Sequence, residues 1–415
     1  MTDTAGAAWE PKATYGPGTG ASPTGEGVVR RRRRWLRGVA LGTAVLVLGA
    51  GGAGWAAYQK LNGNITKDTD AAAELARYER ERPTPLVHDA QNILLIGSDT
   101  RAGDNSKYGR DRGTQRSDTT ILLHLAADRQ SATAVSIPRD LMVDVPGCRR
   151  PDGSRTRAQF AQFNSAFEVG GTACTIRTVE KLTRIRVDHH MVVDFAGFKD
   201  MVDAVDGVEV CLKAPIDDDD AHVRLAPGLQ TLDGEQALGY VRARKSLGNG
   251  SDTERMDRQQ RFLGALVNKV QSNDVLLNPS KLYPVLDAAT SSLTTDPALA
   301  SLRGLYELVR GMRNIPTERV QFLTVPRQSY TYDVNRDQLV EPAAEQLFTR
   351  LRTDSPVAVV PERPASPRES PPGQEQAHRV NPGHSDSDAK PGDPSHTPSP
   401  APTFRGNTAA GAPCE

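Results

Sequence analysis

The stretch Asn92-Ile93-Leu94-Leu95-Ile96-Gly97-Ser98-Asp99-Thr100-Arg101 changes from a short apolar run into a polar cluster at Gly97. A short run rich in β-branched residues and bounded by glycine, proline or aspartate predicts a buried strand. Five further segments show this pattern: Thr119–Leu125, Thr133–Ile137, Val187–Phe195, Val208–Leu212 and Val320–Val325. We therefore expect these six segments to be strands.

Apolar residues at helical spacing lie between the predicted strands. They are Phe160, Phe163 and Phe167 before Gly170 and Gly171, then Phe198, Met201, Val202 and Val205 before Gly207, and Leu299, Leu302 and Val309 after Asp296-Pro297. The glycines are expected to end the first two helices, and Asp296 is expected to be the N-cap of the third. Interleaved strands and helices favour an α/β fold with a sheet covered on both faces.

An arginine block precedes a stretch without charged residues. Arg30 to Arg34 and Arg37 come directly before Gly38–Tyr58, which as a helix spans about 30 Å, the thickness of a bilayer core. A signal peptide would begin nearer the start of the chain, and a core helix would have a polar face. Because arginine keeps its flank in the cytoplasm, we expect a single-pass protein of the cell membrane with a cytoplasmic N-terminus.

Composition divides the rest of the chain. The expected segments are a disordered cytoplasmic segment 1–37 with the arginine block, a transmembrane helix 38–58, an extracytoplasmic stalk 59–89, a folded domain 90–352 and a disordered Pro/Ser-rich tail 353–415. The extracytoplasmic location, together with equal numbers of basic and acidic residues (51 each), argues against nucleic acid as a partner.

The four cysteines are expected to differ in role. Cys148 and Cys174 bracket one short turn-and-helix unit, and a disulfide between them is permitted outside the cytoplasm. We expect that bridge. Cys211, inside a predicted strand, is interpreted as a small buried hydrophobe, and Cys414 as a free thiol.

Three predicted strand ends carry arginine and aspartate together. They are Gly97-Ser98-Asp99-Thr100-Arg101, Arg116-Ser117-Asp118-Thr119 and Pro138-Arg139-Asp140. Ligand sites in α/β sheets form in crevices at strand ends, so these residues are expected to meet in one pocket. Ordinary turn chemistry is the alternative for each cluster taken alone.

A fourth cluster is Tyr240-Val241-Arg242-Ala243-Arg244, followed by a helix that opens at Asp252. In an extended segment, Arg242 and Arg244 would lie on one side. On the helix, Arg255 and Gln259 are expected to point along the apolar stripe, whereas Arg258 and Arg261 point outward. An arginine aimed at the core needs an anion, either an internal aspartate or a bound phosphate.

The charges favour phosphate. The pocket would contain five arginines, namely Arg116, Arg139, Arg242, Arg244 and Arg255. The clustered acids Asp99, Asp118 and Asp252 do not fully cancel their charge. The planar guanidinium matches phosphate oxygens in pairs, and magnesium shares one or two carboxylates with substrate phosphates. The combination predicts a metal-assisted site for a pyrophosphate.

These motifs resemble the LytR-CpsA-Psr family of bacterial cell-wall phosphotransferases. The likeness is carried by residues 92–101, 116–119 and 136–140, by Asp188-His189-His190, where the family often has tyrosine in the third place, and by residues 240–244 with Asp252, Arg255, Arg258 and Gln259. It covers residues 90 to about 270 closely and extends less distinctly to about 350.

The resemblance implies a three-layer α/β/α sandwich with a central mixed sheet. It also implies transfer of a glycopolymer from an undecaprenyl-pyrophosphate carrier to peptidoglycan, forming a phosphodiester. The implied pyrophosphate ligands are Arg116, Arg139, Arg242, Arg244, Arg255 and Gln259, the implied ligands of Mg²⁺ or Mn²⁺ are Asp99, Asp118 and Asp252, and the implied catalytic residues are Arg139, Asp118 and Asp99. The segment between Arg244 and Asp252 is about one residue longer than the family pattern, so the role of Asp252 is the least constrained.

Two other functions fit the same residues. One is a hydrolase that uses water in place of the sugar hydroxyl, and the other is a non-catalytic protein that binds wall polymer or has a regulatory role. Other catalytic constellations are weaker, because adjacent His189 and His190 point to opposite faces of a strand and Ser98 lacks the flanking residues of a nucleophile elbow.

Overall fold

The computed structural model describes residues 26–98, 117–244, 252–272, 278–360 and 402–410. The α-helices in these ranges are α1 (Glu26–Asn64), α2 (Thr69–Arg77), α3 (Ser165–Thr183), α4 (Phe195–Ala204), α5 (Gly234–Arg242), α6 (Asp252–Gln271), α7 (Pro279–Ser292), α8 (Leu302–Met312) and α9 (Ala343–Arg352). The strands are β1 (Thr66–Lys67), β2 (Gln91–Ser98), β3 (Ser117–Leu125), β4 (Ala132–Ser136), β5 (Met142–Val145), β6 (Gln159–Gln162), β7 (His189–Val193), β8 (Val208–Leu212), β9 (Ile216–Asp218), β10 (Val223–Leu225), β11 (Gly228–Leu232), β12 (Leu293–Thr295), β13 (Val320–Thr324), β14 (Arg327–Tyr330), β15 (Asp333–Leu339), β16 (Ala358–Val360) and β17 (Thr403–Thr408). Each of the six predicted strands is confirmed, with ends that differ by a few residues.

A nine-stranded sheet in the order β1-β12-β7-β2-β3-β4-β13-β17-β16 organises the domain. Strand β2 is antiparallel to β3 and parallel to β7, so the sheet is mixed. The predicted strand β8 lies outside this sheet and pairs with β11 in a separate hairpin. The paired hairpins β5–β6 and β14–β15 flank the main sheet without joining it.

Alternating residues of β2 pack on opposite faces of the sheet. Leu94 and Ile96 belong to a core that includes residues of α2, α3 and α9, whereas Ile93 and Leu95 pack in a core with residues of α6 and α8. The alternation follows from the two-residue period of a strand. Helices therefore cover both faces, which confirms the predicted α/β/α sandwich.

A third core cluster lies among α4, α5, α6 and the β8–β11 hairpin. Phe262 of α6 is fully buried there, between the rings of Phe198 and Tyr240. Leu263 of the same helix packs against the main sheet. Helix α6 is consequently buried on two sides.

The chain divides into two compact units, Met1–Tyr58 and Gln59–Glu415. In the first, part of helix α1 belongs to a stretch, Trp35–Asn64, that is long and apolar enough to cross a membrane, with a mean hydropathy of 1.6. This finding is consistent with the predicted anchor at residues 38–58.

The predicted stalk, residues 59–89, is part of the folded unit. Leu61 and Ile65 are buried, and the short strand β1 pairs with β12. Arg82 forms a two-atom ion pair with the buried carboxylate of Glu180 on α3, with nitrogen to oxygen distances of 2.8 and 3.0 Å. The expectation of a separate stalk is therefore wrong, because its apolar residues have sheet and helix partners.

The phenylalanine pattern around Phe163 does not form a single helix. Phe160 is on strand β6 and is 54% exposed, whereas Phe163 and Phe167 are buried. Helix α3 is interrupted at Gly170 and Gly171 but continues to Thr183. A Cβ atom at position 170 would lie 2.9 Å from Cβ of Cys148. The disulfide loop therefore approaches too closely for any residue other than glycine at this position.

The predicted disulfide is present. Cys148 and Cys174 are bonded, with their Cα atoms 5.7 Å apart. Cys211 is also disulfide-bonded, so its interpretation as a simple buried hydrophobe is wrong. Cys414 lies outside the described residues.

The predicted helix start at Asp296 is also wrong. Helix α8 begins at Leu302, with Ser301 as its N-cap. The Asp296 carboxylate accepts the amides of Ala298 and Leu299 and faces Nδ1 of His189 at 3.2 Å. Asp296 therefore stabilises the turn before α8 and connects that turn to the start of β7.

Two parts of the Pro/Ser-rich tail belong to the main sheet. Strand β17 lies antiparallel to β13 and parallel to β16. Phe404 is 5% exposed and Ala409 is 1% exposed, and the amide of Ala409 donates to the carbonyl of Val320. The expectation of a disordered tail over 353–415 is therefore wrong for residues 353–360 and 402–410, since the open edge of β13 provides the missing partner.

We predict that Gly406→Ala detaches β17. A Cβ atom at this position would clash with the carbonyl oxygen of Phe322 in the neighbouring strand. Loss of docking would expose Phe404, and burial of such a side chain is worth about 1.5–3 kcal/mol. Hydrogen exchange should show rapid exchange of the Ala409 amide.

Gly311→Ala is the matched control, because a Cβ there meets its nearest neighbour at 3.6 Å, an ordinary contact distance. Full protection of the Ala409 amide in Gly406→Ala would contradict the strand pairing.

Candidate active site

A pocket opens where strand β3 begins, strand β4 ends and helix α6 begins. Its lining consists of Asp118, Thr119, Thr120, Ser136, Ile137, Pro138, Arg139, Arg255, Met256 and Gln259. The antiparallel register pairs Ile121 of β3 with Ser136 of β4, so the start of one strand lies beside the end of the other. Two of the polar clusters found in the sequence therefore meet, as predicted.

Arg139 is held between two carboxylates. Its Nη1 donates to Oδ1 of Asp118 at 2.9 Å, and its Nε donates to Oδ2 of Asp140 at 3.1 Å. The side chain is 21% exposed, so it is oriented by the protein but still reachable from solvent. Charge-assisted bonds of this kind fix the direction of a guanidinium.

Asp140 belongs to the predicted Pro138-Arg139-Asp140 cluster, but no role was predicted for it. Its Oδ1 accepts a hydrogen bond of 2.6 Å from Gln162 of β6 and faces Arg336 of β15 at 3.5 Å. Asp140 thereby links Arg139 to the β5–β6 and β14–β15 hairpins. The available signal was its position directly after Arg139.

Helix α6 supplies the opposite side of the pocket. Arg255 is 4% exposed and lines the pocket with Gln259, which confirms that both point along the buried stripe. Gln260 was not predicted, yet its Nε2 donates to Ser136 at 3.1 Å and to Thr324 at 3.0 Å. This side chain attaches α6 to the ends of β4 and β13.

Arg258 contradicts its predicted outward orientation. It is 6% exposed and its Nη2 donates to the carbonyl of Ala243. Burial lowers the pKa of this guanidinium, while Tyr240 and Glu254 act in the opposite direction. The prediction is wrong because α6 is buried on two sides, and a single apolar stripe does not reveal the second.

Arg242 and Arg244 do not belong to an extended segment. Arg242 is the last residue of α5, and its guanidinium lies 4.7 Å from the ring centre of Phe195. Arg244 is exposed, and its amide donates to the buried carboxylate of Asp218 at 2.6 Å. Neither residue lines the described pocket.

The end of α5 is nevertheless attached to the pocket wall. Gln259, which lines the pocket, donates from Nε2 to the carbonyl of Val241 at 3.1 Å. Together with the bond from Arg258 to Ala243, this contact connects the backbone of the arginine motif to α6. The structure thus brings Asp118, Arg139, Arg255 and Gln259 together in one pocket. Arg242 and Arg244 lie in the segment that is bonded to the pocket-lining helix α6.

Three predicted residues cannot be placed. Asp99 and Arg116 lie outside the described residues, as does the side chain of Asp252, the first residue of α6. Asp118 is the remaining predicted metal ligand. Within the described ranges, no group of three metal-binding side chains occurs, so the carboxylate of Asp118 would need oxygen ligands from elsewhere.

The histidine pair has a structural role. His189 faces Asp296 at 3.2 Å, whereas the buried His190 faces Asp68 at 3.3 Å. Burial raises the pKa of Asp68, but bonds from His190 and the Ala71 amide outweigh it and lower the pKa. The two rings lie on opposite faces of β7, which confirms that they are a poor metal pair.

Comparison with known proteins agrees with this architecture. The sequence profile of the LytR_cpsA_psr family matches residues 60–353. A probable cell wall biosynthesis protein, LcpB, from Corynebacterium glutamicum is 36% identical over 68% of this chain and 66% of its own length. The chain thus spans slightly less than two thirds of that relative.

A second relative is covered almost completely. The polyisoprenyl-teichoic acid–peptidoglycan teichoic acid transferase TagT of Bacillus subtilis is 31% identical over 76% of this chain and 94% of its own length. Among solved structures, a LytR-Csp2A-Psr enzyme from Actinomyces oris has a TM-score of 0.51 with 19% identity, covering 65% of this chain and 93% of that one. That likeness shows a shared fold, and the profile and sequence matches show that the chain belongs to the LytR-CpsA-Psr family.

Proposed function

We propose that this protein transfers a glycopolymer from a polyprenyl-pyrophosphate carrier to peptidoglycan and forms a phosphodiester. The observation that carries the proposal is the placement of Arg139 between Asp118 and Asp140, in a pocket that also contains Arg255 and Gln259. The name of the Bacillus subtilis relative, a polyisoprenyl-teichoic acid–peptidoglycan transferase, supports the reaction class.

The arginines would perform the main task of such a reaction. Phosphoryl transfer depends on positioning and on stabilising negative charge that spreads over oxygens. Arg139 is already oriented by two carboxylates and so loses little freedom when it binds a phosphate oxygen. Arg255 is nearly buried, and a charge screened less by water acts more strongly on a bound phosphate.

The remaining predicted ligands complete this assignment. Gln259 would donate to a phosphate oxygen from the same wall as Arg255. Arg116 is assigned to the pyrophosphate on sequence grounds. Arg242 and Arg244, at the end of α5, would contact the outer part of the donor, because Gln259 and Arg258 attach that segment to the pocket wall.

Asp118 is suited to bind magnesium or manganese. Its Oδ1 accepts the bond from Arg139, and no residue in the described ranges donates to its Oδ2. One carboxylate with two phosphate groups is a normal ligand set for magnesium, with Asp99 and Asp252 as the further predicted ligands. The bound cation would neutralise charge on the transferred phosphoryl group, and Asp118 or Asp99 would accept the proton of the attacking hydroxyl.

The location we propose is the outer face of the cell membrane. The Trp35–Asn64 stretch is long and apolar enough to cross a bilayer, and Arg30–Arg34 precede it. Arginine-rich flanks remain in the cytoplasm. The disulfide between Cys148 and Cys174 supports this orientation, because such bonds persist mainly in oxidising compartments.

The test is a transfer reaction with the full-length chain in detergent, a lipid-pyrophosphate-linked sugar, peptidoglycan oligomers and magnesium. Mass spectrometry should detect a phosphodiester-linked glycan. We predict that Arg139→Ala lowers the rate by at least about 100-fold, the usual loss when one transition-state donor is removed.

Arg303→Ala is the control, because Arg303 is 83% exposed on α8 and pairs with Glu307. It should transfer at the normal rate. Free phosphorylated sugar in place of the phosphodiester would favour a hydrolase, and bound but unconverted lipid would favour a binding protein.

A second prediction concerns the metal. Asp118→Asn should raise the magnesium concentration needed for half-maximal rate by at least about tenfold. Even the loss of a residue that only orients a metal ligand lowers metal affinity by about that factor. Removal of the cation by a chelator should stop the wild-type reaction, and manganese should restore it. Glu307→Gln, at an exposed carboxylate on α8, should behave as wild type. An unchanged magnesium requirement in Asp118→Asn would remove this residue from the metal site.

A further inference from the structure

Three aromatic rings form a row on two neighbouring hairpins, with exposed rings at its ends and a half-buried ring, Tyr330, in the middle. Phe160 lies on β6 and is 54% exposed, and Tyr332, in the turn between β14 and β15, is 85% exposed. Tyr330 lies between them, with ring centres 6.1 Å from Phe160 and 5.4 Å from Tyr332. We call these three residues the aromatic row. Large rings left in water in one continuous group usually mark a binding surface.

The aromatic row is directly connected to the candidate active site through Asp140. Phe160 and Gln162 are two residues apart on β6, so they share a face, and Gln162 donates to Asp140 at 2.6 Å. On the other hairpin, the amide of Asp337 donates to the carbonyl of Asp140 at 3.1 Å. Both hairpins therefore meet at the residue that also orients Arg139.

Two sides of Arg139 can thus be distinguished. Asp118 and the pocket lining lie on one side of its guanidinium, and Asp140 with the two hairpins lies on the other. A donor whose pyrophosphate occupies the pocket would leave the hairpin side open. The attacking hydroxyl has to reach the same phosphorus from outside the pocket, and the hairpins flank that approach.

The surroundings of the rings favour an uncharged polyhydroxylated ligand. The exposed residues next to the rings include Gln328, Ser329, Thr331 and Asn335, which offer neutral donors and acceptors. The nearby charges Arg336 and Asp333 face each other at 3.4 Å, and Asp144, the exposed cross-strand partner of Phe160, disfavours an anionic ligand. A membrane surface would instead require basic residues around the apolar groups. Sugar rings pack their C–H faces on aromatic faces and use their hydroxyls at the edges.

We propose that the aromatic row binds the glycan strand of the acceptor and presents its hydroxyl to the phosphate held beside Arg139. The inference rests on the proposed transferase function and adds to it a binding site for the second substrate. The ring centres lie 6.1 and 5.4 Å apart and the ring planes are tilted by 51° and 62°, so each ring offers its own face or edge to a sugar unit. An open row, unlike a closed pocket, also accommodates a polymer that continues in both directions.

The first measurement is direct binding of an N-acetylglucosamine tetrasaccharide to the full-length chain in detergent, without donor. Tyr332→Ala and Phe160→Ala should each weaken binding by about tenfold, the effect of losing one aromatic contact of typical strength. Tyr332→Phe should bind nearly as well as wild type, because it retains the ring face. Tyr306→Ala is the control, since Tyr306 is 60% exposed on α8.

The second measurement separates acceptor from donor. In the transfer reaction, Tyr332→Ala should raise the KM for peptidoglycan oligomers by about tenfold. The KM for the donor lipid should not change. A change in donor KM alone would assign the aromatic row to the donor polymer and overturn the proposal. Equal tetrasaccharide binding by wild type and both alanine variants would also overturn it.

Failure of the two proposals can be told apart. If no transfer is detected but the tetrasaccharide binds and Tyr332→Ala weakens that binding, the glycan site stands and the transferase proposal fails. If transfer occurs with normal KM values in both alanine variants, the transferase proposal stands and the aromatic row is not the acceptor site.

Discussion

The ion pairs of Arg139 with Asp118 and Asp140 connect three parts of the protein that are distant in sequence. Asp118 belongs to the start of β3, Arg139 follows β4, and Asp140 contacts the two outer hairpins. Removal of one carboxylate would leave Arg139, which is 21% exposed, without one of the two bonds that orient it. The antiparallel register of β3 and β4 is therefore tied to the orientation of the guanidinium, and the proposed chemistry depends on both.

Helix α6 is the second element on which the pocket depends. It presents Arg255 and Gln259 to the pocket and uses Gln260 to hold Ser136 and Thr324 at the strand ends. Arg258, on the same helix, holds the end of α5 through its bond to the carbonyl of Ala243. One helix thus sets the positions of both arginine clusters, which explains why polar residues occupy so much of its buried surface.

Much of this could be predicted from local sequence. Strands such as β2 show both the apolar run and the polar end, and the pairing of arginine with aspartate at strand ends indicated where the pocket lies. The failures required tertiary information. Arg258 is buried by a second packing surface, and the strand Thr403–Thr408 forms because the edge of β13 is available to it. Arg242 was expected in an extended segment, although the capping box of Asp233 and Gln236 was a readable signal for helix α5.

The central claim is that Asp118 and Arg139 act as one unit on the transferred phosphate. A double-mutant cycle on kcat/KM for glycopolymer transfer, with Asp118→Asn, Arg139→Lys and the combined variant, measures their coupling most directly. We expect the combined variant to be little worse than the more damaged single variant. Losses that simply multiply would show that the two side chains act independently and would contradict this account of the site.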